Sequence, residues 1–147
     1  MKLRGYTFIF LILISGGCSL SSSQEKSLNR AIIQYQNAYN RHLTLLEVSL
    51  THPCEVDFYA KDSLRLKERF IHQETRIENY NILKINQENK DVIVTLSFDY
   101  FSSQEVEKPT KKLIYAFSYD NGLVWYFTTK NKHALLKCAR MKYDKQQ

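Results

Sequence analysis

Asn121-Gly122, set between two alternating apolar runs, constrains this chain more than any other pair of residues. Asn-Gly supplies the positive φ that both central positions of a type I′ turn need, and that turn matches the twist of its flanking strands. Residues 111–120 and 123–129 are therefore expected to form a hairpin. The register follows: Asp120 faces Leu123, Tyr119 faces Val124, Ser118 faces Trp125 and Phe117 faces Tyr126. One face then carries Leu113, Tyr115, Phe117, Tyr119, Val124 and Tyr126, and the other carries Ile114, Ala116, Trp125 and Phe127. A half-exposed antiparallel sheet shows one polar face. Here both faces are apolar. The chain's own helices are expected on one side, and a partner subunit, the C-terminal segment or a ligand on the other.

The segments upstream extend the sheet and supply the helices. Residues 76–86 read as a strand, Gln87-Glu88-Asn89-Lys90 as a polar turn, and 91–101 as a cleanly alternating strand with Val92, Val94, Leu96, Phe98 and Tyr100 on one face. Leu28, Ile32, Tyr35, Tyr39, Leu43, Leu46 and Leu50 recur at steps of three and four, the stripe of an amphipathic helix over 27–50. Whether it is one helix or two joined near Asn40-Arg41 stays open. Pro53 disfavours helix at the residue before it. Val56 and Phe58 alternate with Asp57 and Tyr59, which suggests a short strand over 55–60. Asp62 reads as the N-cap of a helix running to about Gln73, with Leu64, Leu66, Phe70 and Ile71 inside and Arg65, Lys67, Glu68 and Arg69 outside. Helices segregated from an antiparallel sheet make an α+β fold. The expected architecture is N-terminal helices packed on a curved sheet of about five strands.

The N-terminus gives an address. Lys2 and Arg4 precede an apolar run from Tyr6 to Ile14, followed by Ser15, Gly16, Gly17 and Cys18. Positive start, apolar middle and small-residue exit outline a secretory signal. Nine helical residues reach only about 14 Å, too short for a membrane span. Ser15-Gly16-Gly17-Cys18 resembles the bacterial lipobox, with Ser15 where an aliphatic residue is usual. The resemblance implies removal of residues 1–17 and acylation of Cys18, which would anchor the chain stably because several acyl chains act together. Ser19 follows, with no Asp as a retention signal, which leans toward the outer membrane, facing the periplasm. Residues 18–27 then serve as lipidated Cys and polar tether, and 28–147 as one domain. The chain's formal charge of +6 includes Lys2 and Arg4, leaving +4 after their removal. Export argues against nucleic acid as a partner despite that charge.

Acylation of Cys18 leaves Cys54 and Cys138, which an oxidising compartment would pair as a disulfide. Neither has a second Cys or a His at ligand spacing, so no metal is implied. His42, His52, His72 and His133 form no metal motif, and no Gly-rich phosphate loop or Gly-x-Ser-x-Gly elbow exists, so no catalytic residue and no cofactor is assigned. Lys108, Lys111, Lys112, Lys130, Lys132, Lys137, Arg140 and Lys142 read as a solvated basic face rather than a binding surface.

The order of elements is similar to the nuclear transport factor 2-like superfamily, in which a curved sheet wraps a long helix into a cone. The residues that carry the resemblance are Phe58-Tyr59-Ala60-Lys61-Asp62, the helix ending at Phe70, Ile77 with Tyr80, Ile82 and Ile85, residues 91–94, and Asp120-Asn-Gly-Leu-Val-Trp125-Tyr126-Phe127. A cystatin-like roll of helix on sheet is the competing fold. Enzymes in the cone superfamily place an Asp or His base with Tyr donors in the pocket, and the corresponding cast here is Asp57, Asp99, Tyr80, Tyr100, Tyr115 and Tyr126. The bland reading is a solvated Asp and packed Tyr in each case. Tyr80, Phe98, Tyr100, Tyr115, Phe117, Trp125 and Tyr126 are the candidate pocket or interface. The expected function is non-enzymatic binding of an envelope protein or small ligand. The alternatives are a subunit of an envelope secretion or assembly complex, and a small isomerase or cyclase. Pairing with a second copy through the sheet is a further expectation.

Overall fold

A capping box opens the first helix. The computed structural model describes residues 18–71, 74–102, 109–130 and 138. In it the Ser21 hydroxyl accepts from the Gln24 backbone N–H, and the Gln24 side chain accepts from the Ser21 N–H. Helix α1 therefore runs Ser22–Asn40. It starts earlier than the apolar stripe suggests, so residues 22–26 of the expected tether are helical. It stops where His42 adopts a φ of 55°. The long periodic segment is thus two helices, α1 and α2 (Thr44–Leu50). Then come α3 (Pro53–Ala60), α4 (Ser63–Phe70) and the strands β1 (Thr75–Glu88), β2 (Asp91–Ser102), β3 (Thr110–Ser118) and β4 (Tyr126–Thr128). The strands make one antiparallel sheet in the order β1-β2-β3-β4.

The architecture is α+β as expected, with four strands rather than five. Residues 55–60, expected as a strand, belong to α3. The physical reason lies just upstream. His52 is the N-cap, its ring Nδ1 accepting from the Cys54 N–H, and Pro53 sits in the first helical turn, where its missing N–H costs nothing. Four alternating residues do not separate a strand from a helix turn. At the β4 edge of the sheet there is one parallel bridge, Thr51 to Phe127, with the His52 N–H donating to the Phe127 carbonyl at 2.8 Å. At the opposite edge the Asn40 side chain donates to the Ile77 carbonyl and accepts from the Ile77 N–H, each at 2.8 Å. The end of α1 is thereby fixed to β1.

The hairpin register is as expected, but the turn is not. Phe117 pairs with Tyr126, Ala116 with Phe127 and Tyr115 with Thr128. Asn121 and Gly122 both have positive φ, 61° and 85°. The β3–β4 ladder nevertheless closes with the Phe117–Tyr126 pair, so the expected pairs of Ser118, Tyr119 and Asp120 are absent from it. The Asp120 carboxylate draws the chain into a wider loop instead. It accepts from the Ser118 hydroxyl, the Leu123 N–H and the Val124 N–H, while the Gly122 N–H donates to the Ser118 hydroxyl. Burial pushes the Asp120 carboxyl up, but the Val124, Ser118 and Leu123 donors outweigh it and hold the group below the usual carboxylate range.

One sheet face is covered by α1 and the other only in part, since Leu113 on it stays 47% exposed. Leu28, Ile32, Tyr35 and Tyr39 of α1 pack on Ile77, Val92, Val94, Leu96, Phe98, Ile114, Ala116, Trp125 and Phe127. Each fully buried Leu or Ile side chain there contributes about 1.5–3 kcal/mol. On the other face Ile93 and Phe117 meet Cys54, with Tyr115, Tyr119 and Cys138 against them. Cys54 is bonded to Cys138 across a separation of 84 residues. The cover over this second face includes the chain's own Cys138, one of the three alternatives the apolar pattern left open. Converting both cysteines to serine should lower unfolding free energy by about 4 kcal/mol, the chain-entropy value for so long a loop. Denaturant titration measures this, and a loss below about 1 kcal/mol would show that the bond leaves the unfolded chain unconstrained.

Candidate functional site

The three short helices meet on one buried cation. Arg69, expected on the outer side of α4, points inward and is paired with Glu55 at 2.7 Å and Glu47 at 3.1 Å. Both glutamates are fully buried. Glu55 also accepts from the Thr129 N–H at 3.2 Å and the Thr129 hydroxyl at 3.3 Å. The network joins α2, α3 and α4 to the end of β4. Burial works against the charge on Arg69, but the Glu55 and Glu47 carboxylates outweigh it and hold the guanidinium protonated. Two polar groups here end without a hydrogen-bond partner among the described residues: Arg69 Nη2 and the Tyr35 hydroxyl. Burial drives the Tyr35 phenol well above its usual value, so it stays protonated.

Leu64 and Ile71, expected inside, are instead 65% and 51% exposed. Arg69 takes the inward position because the two buried carboxylates require a counter-charge, which an apolar side chain does not supply.

A cleft of about 540 Å³ opens against this network. Tyr39 from α1, Glu68, Arg69 and Ile71 from the end of α4, Thr75 from β1, Tyr100 from β2, Lys112 from β3 and Thr129 line it. That volume falls in the range of small-molecule sites. Lys112 is its chemical centre. The ammonium lies 4.9 Å from the Tyr39 ring centroid and 5.0 Å from that of Tyr100, and donates to the Tyr39 hydroxyl at 3.3 Å. Among the described residues no carboxylate forms an ion pair with it. Burial, with Arg69 adding to it, pushes Lys112 down to about 8, against the pull of Glu47 and Glu55. Burial likewise pushes the Tyr39 phenol up to about 12, opposed by its hydrogen bond to Thr75.

The seven residues expected as pocket or interface are divided by the sheet. Phe98 and Trp125 belong to the core under α1, with Tyr80 and Tyr100 packed against it. Tyr80 donates to the Asn29 side chain at 2.7 Å. Phe117 and Tyr115 belong to the second cluster. Tyr126, paired with Phe117 in the ladder, lies 6.4 Å from the His52 ring. Of the seven, only Tyr100 lines the cleft. Asp57 is exposed on α3. Asp99 is bound by Lys111 and by the Asn79 amide, which hold its carboxyl below the usual range.

The basic face is also divided. Lys111 pairs with Asp99, and Lys130 lies over Phe58 and Tyr59. Lys108, Lys132, Lys137, Arg140 and Lys142 lie outside the described residues, as do His72 and His133. His42 is exposed. His52, by contrast, is buried, its Nε2 against the Tyr119 hydroxyl.

Lys112 and Tyr39 were legible as neighbours in part. Alternation puts Lys112 on the same side of β3 as Ile114 and Ala116, the side that packs on α1. A lysine at an inward strand position is the signal. Among the described residues no group of three or more His, Cys, Asp or Glu could hold a metal ion, and no helix is long and apolar enough to cross a membrane.

Arg69→Met should cost about 3–5 kcal/mol in denaturant unfolding, because it strands two buried carboxylates. Restoring neutrality with Glu47→Gln and Glu55→Gln in the same chain should recover part of that loss. A single variant as stable as wild type would mean the ion pairs do not hold the helices together.

Comparison of the chain with protein-family models, with curated proteins and with solved structures finds no match.

Proposed function

We propose that this chain is a lipoprotein of the bacterial envelope. Cys18 anchors it at the outer membrane, facing the periplasm, and its α+β domain is a non-enzymatic binder of small ligands that carry a carboxylate. The observation that carries the binding reading is the half-buried Lys112 ammonium at the wall of an open cleft, flanked by two tyrosine rings and unpaired with any carboxylate among the described residues. A carboxylate is the group such an ammonium lacks. It would accept from Lys112 and the Tyr39 hydroxyl while the rings of Tyr39 and Tyr100 cover the ligand's apolar part. The lipobox-like Ser15-Gly16-Gly17-Cys18 supports the address. So does the Cys54–Cys138 bond, since disulfides persist in oxidising compartments.

The cone of the nuclear transport factor 2-like superfamily is the finer fold reading we propose. A long helix laid across an antiparallel sheet supports it, and the helix in place of an expected strand removes one of its marks. An isomerase would need a general base placed in the cleft. The cleft's own carboxylate, Glu68, is exposed to water, and the buried Glu47 and Glu55 are tied to Arg69. A second reading, a subunit of an envelope assembly, is favoured by the apolar side chains that the short helices leave in solvent. They include Leu45 at 88%, Leu64 at 65% and Phe58 at 53% exposure.

Two measurements test the proposal. Cys18→Ala should move the protein from the membrane fraction to the soluble one, and unchanged retention would remove the anchor. Screening small carboxylic acids against residues 19–147 by calorimetry should yield binders whose affinity drops about tenfold to hundredfold in Lys112→Met, the loss of one charge-assisted hydrogen bond. Affinity should also fall as pH rises through about 8, where Lys112 loses its proton. The variant should remain folded. A lysine pushed down from 10.5 to about 8 makes the folded state gain stability as pH rises between those values, so its charge opposes folding at pH 7. Binders indifferent to both the substitution and pH would place the site elsewhere.

A further inference from the structure

The attachment point and the cleft lie at opposite ends of α1. Leu20 packs against the main core and Ser21 caps the helix, so only Ser19 separates Cys18 from the packed body. Two extended residues reach about 7 Å. Whatever holds Cys18 therefore holds this end of the domain close to it. The 119–125 loop is fastened to the same end. The Gln24 side chain donates to the Asn121 carbonyl at 3.2 Å and to its side-chain oxygen at 2.9 Å. The Ser27 hydroxyl donates to the Leu123 carbonyl at 3.1 Å, and the Asn121 N–H donates to the Lys90 carbonyl at 2.8 Å. Gly122 sits so close to Gln24 that a Cβ there would lie 2.7 Å from its Cγ. The loop is thus a fixed part of the end that carries Cys18.

Its tip is apolar and in solvent: Leu123 is 76% exposed and Val124 49%. Lys26 and Lys90 stand nearby, but so do Glu25 and Glu88, all exposed. Among the described residues, any attraction to a surface at this end is therefore apolar before it is electrostatic.

We propose that Leu123 and Val124 rest in the bilayer interface beside the acylated Cys18, so that the domain stands on the membrane with its cleft turned away from it. This rests on the lipid-anchor reading of Cys18. The occupant of the apolar tip is a lipid surface, because the lipidated residue is too close to the body for the tip to stand far from the acyl chains. Apolar side chains at such an interface bury into the boundary between head groups and acyl chains. The 19 residues of α1 then set the height of the cleft, about 28 Å along the helix. β1, β2 and β3 run along the same axis: Thr75, Tyr100 and Lys112 lie at the cleft, and Glu88, Asp91 and Ser118 at the other end.

The test uses the full lipidated chain on vesicles of phosphatidylethanolamine and phosphatidylglycerol whose acyl chains carry bromine, a contact quencher of tryptophan. Leu123→Trp reports the tip and Ile71→Trp the cleft, with the emission of wild-type Trp125 subtracted from each. Leu123→Trp should shift to the blue and lose most of its emission, while Ile71→Trp keeps its own. Val124→Trp replaces Leu123→Trp if that variant does not fold. A vesicle-bound chain in which the tip probe is unquenched, or in which both probes are quenched alike, overturns the orientation while leaving the anchor intact. Flotation separates the two readings. A wild-type chain that fails to float with vesicles, as Cys18→Ala should fail, overturns the anchor and the orientation with it.

Discussion

The ion pairs of Arg69 are the interaction on which the rest of the structure depends. Helices of seven or eight residues do not form alone, because nucleation costs more than so few hydrogen bonds return. Yet α2, α3 and α4 are of that length and follow one another directly. What holds them is Arg69, which reaches Glu47 on α2 and Glu55 on α3 from its own place on α4. Glu55 then reaches Thr129 past the end of β4. A buried triad of this kind is a poor source of net stability, since desolvating three charges costs most of what their attraction returns. What it does supply is a unique arrangement: any register in which Arg69 misses either carboxylate leaves a bare charge inside. The same packing shapes the wall of the cleft, because Glu68, Arg69 and Ile71 line it from the end of α4.

The sheet was the legible part of this chain. Alternation over 91–101 and the Asn-Gly pair gave β2, β3 and the pairing of Phe117 with Tyr126, since those signals are local and the pleat admits one register. The turn itself was less legible. Asn121 and Gly122 adopt the positive φ that their identities favour, but the Asp120 carboxylate competes for the N–H groups of Leu123 and Val124 and keeps them from a tight ladder. Residues 55–60 misled for a related reason. Four alternating residues fit both periods, and the deciding information was the His52 cap and Pro53 before them. Arg69 misled because a charged residue on an amphipathic helix is ordinarily on the wet side. Its burial depends on Glu47 and Glu55, 22 and 14 residues earlier, and no periodicity within α4 reports that.

The candidate site was hidden by the same distance effect. Tyr39 and Lys112 are 73 residues apart in sequence. They meet because Asn40 fixes the end of α1 against Ile77 of β1, while β3 starts two strands away at the same end of the sheet. The aromatic residues that looked most like a pocket are mostly core. Phe98 and Trp125 are buried under α1, and Phe117 is buried on the reverse face where Cys54 and Cys138 cover it. Tyrosine abundance alone therefore marked the packing rather than the site.

Lys112 is at odds with its surroundings. Its neighbours on the inward side of β3, Ile114 and Ala116, are fully buried and apolar. A methionine there would fill the same length without a charge to desolvate, and the lysine's lowered pKa means that protonation at neutral pH works against the fold. The Tyr39 and Tyr100 rings recover part of that cost through cation–π attraction, and the Tyr39 hydroxyl accepts one hydrogen bond. Other charges in this region carry their own compensation: Arg69 has Glu47 and Glu55, and Asp99 has Lys111. Violations of local folding rules concentrate where a protein uses the strained group. That is the physical reason for proposing a binding site at Lys112 and the cleft in front of it rather than at the aromatic residues of the sheet.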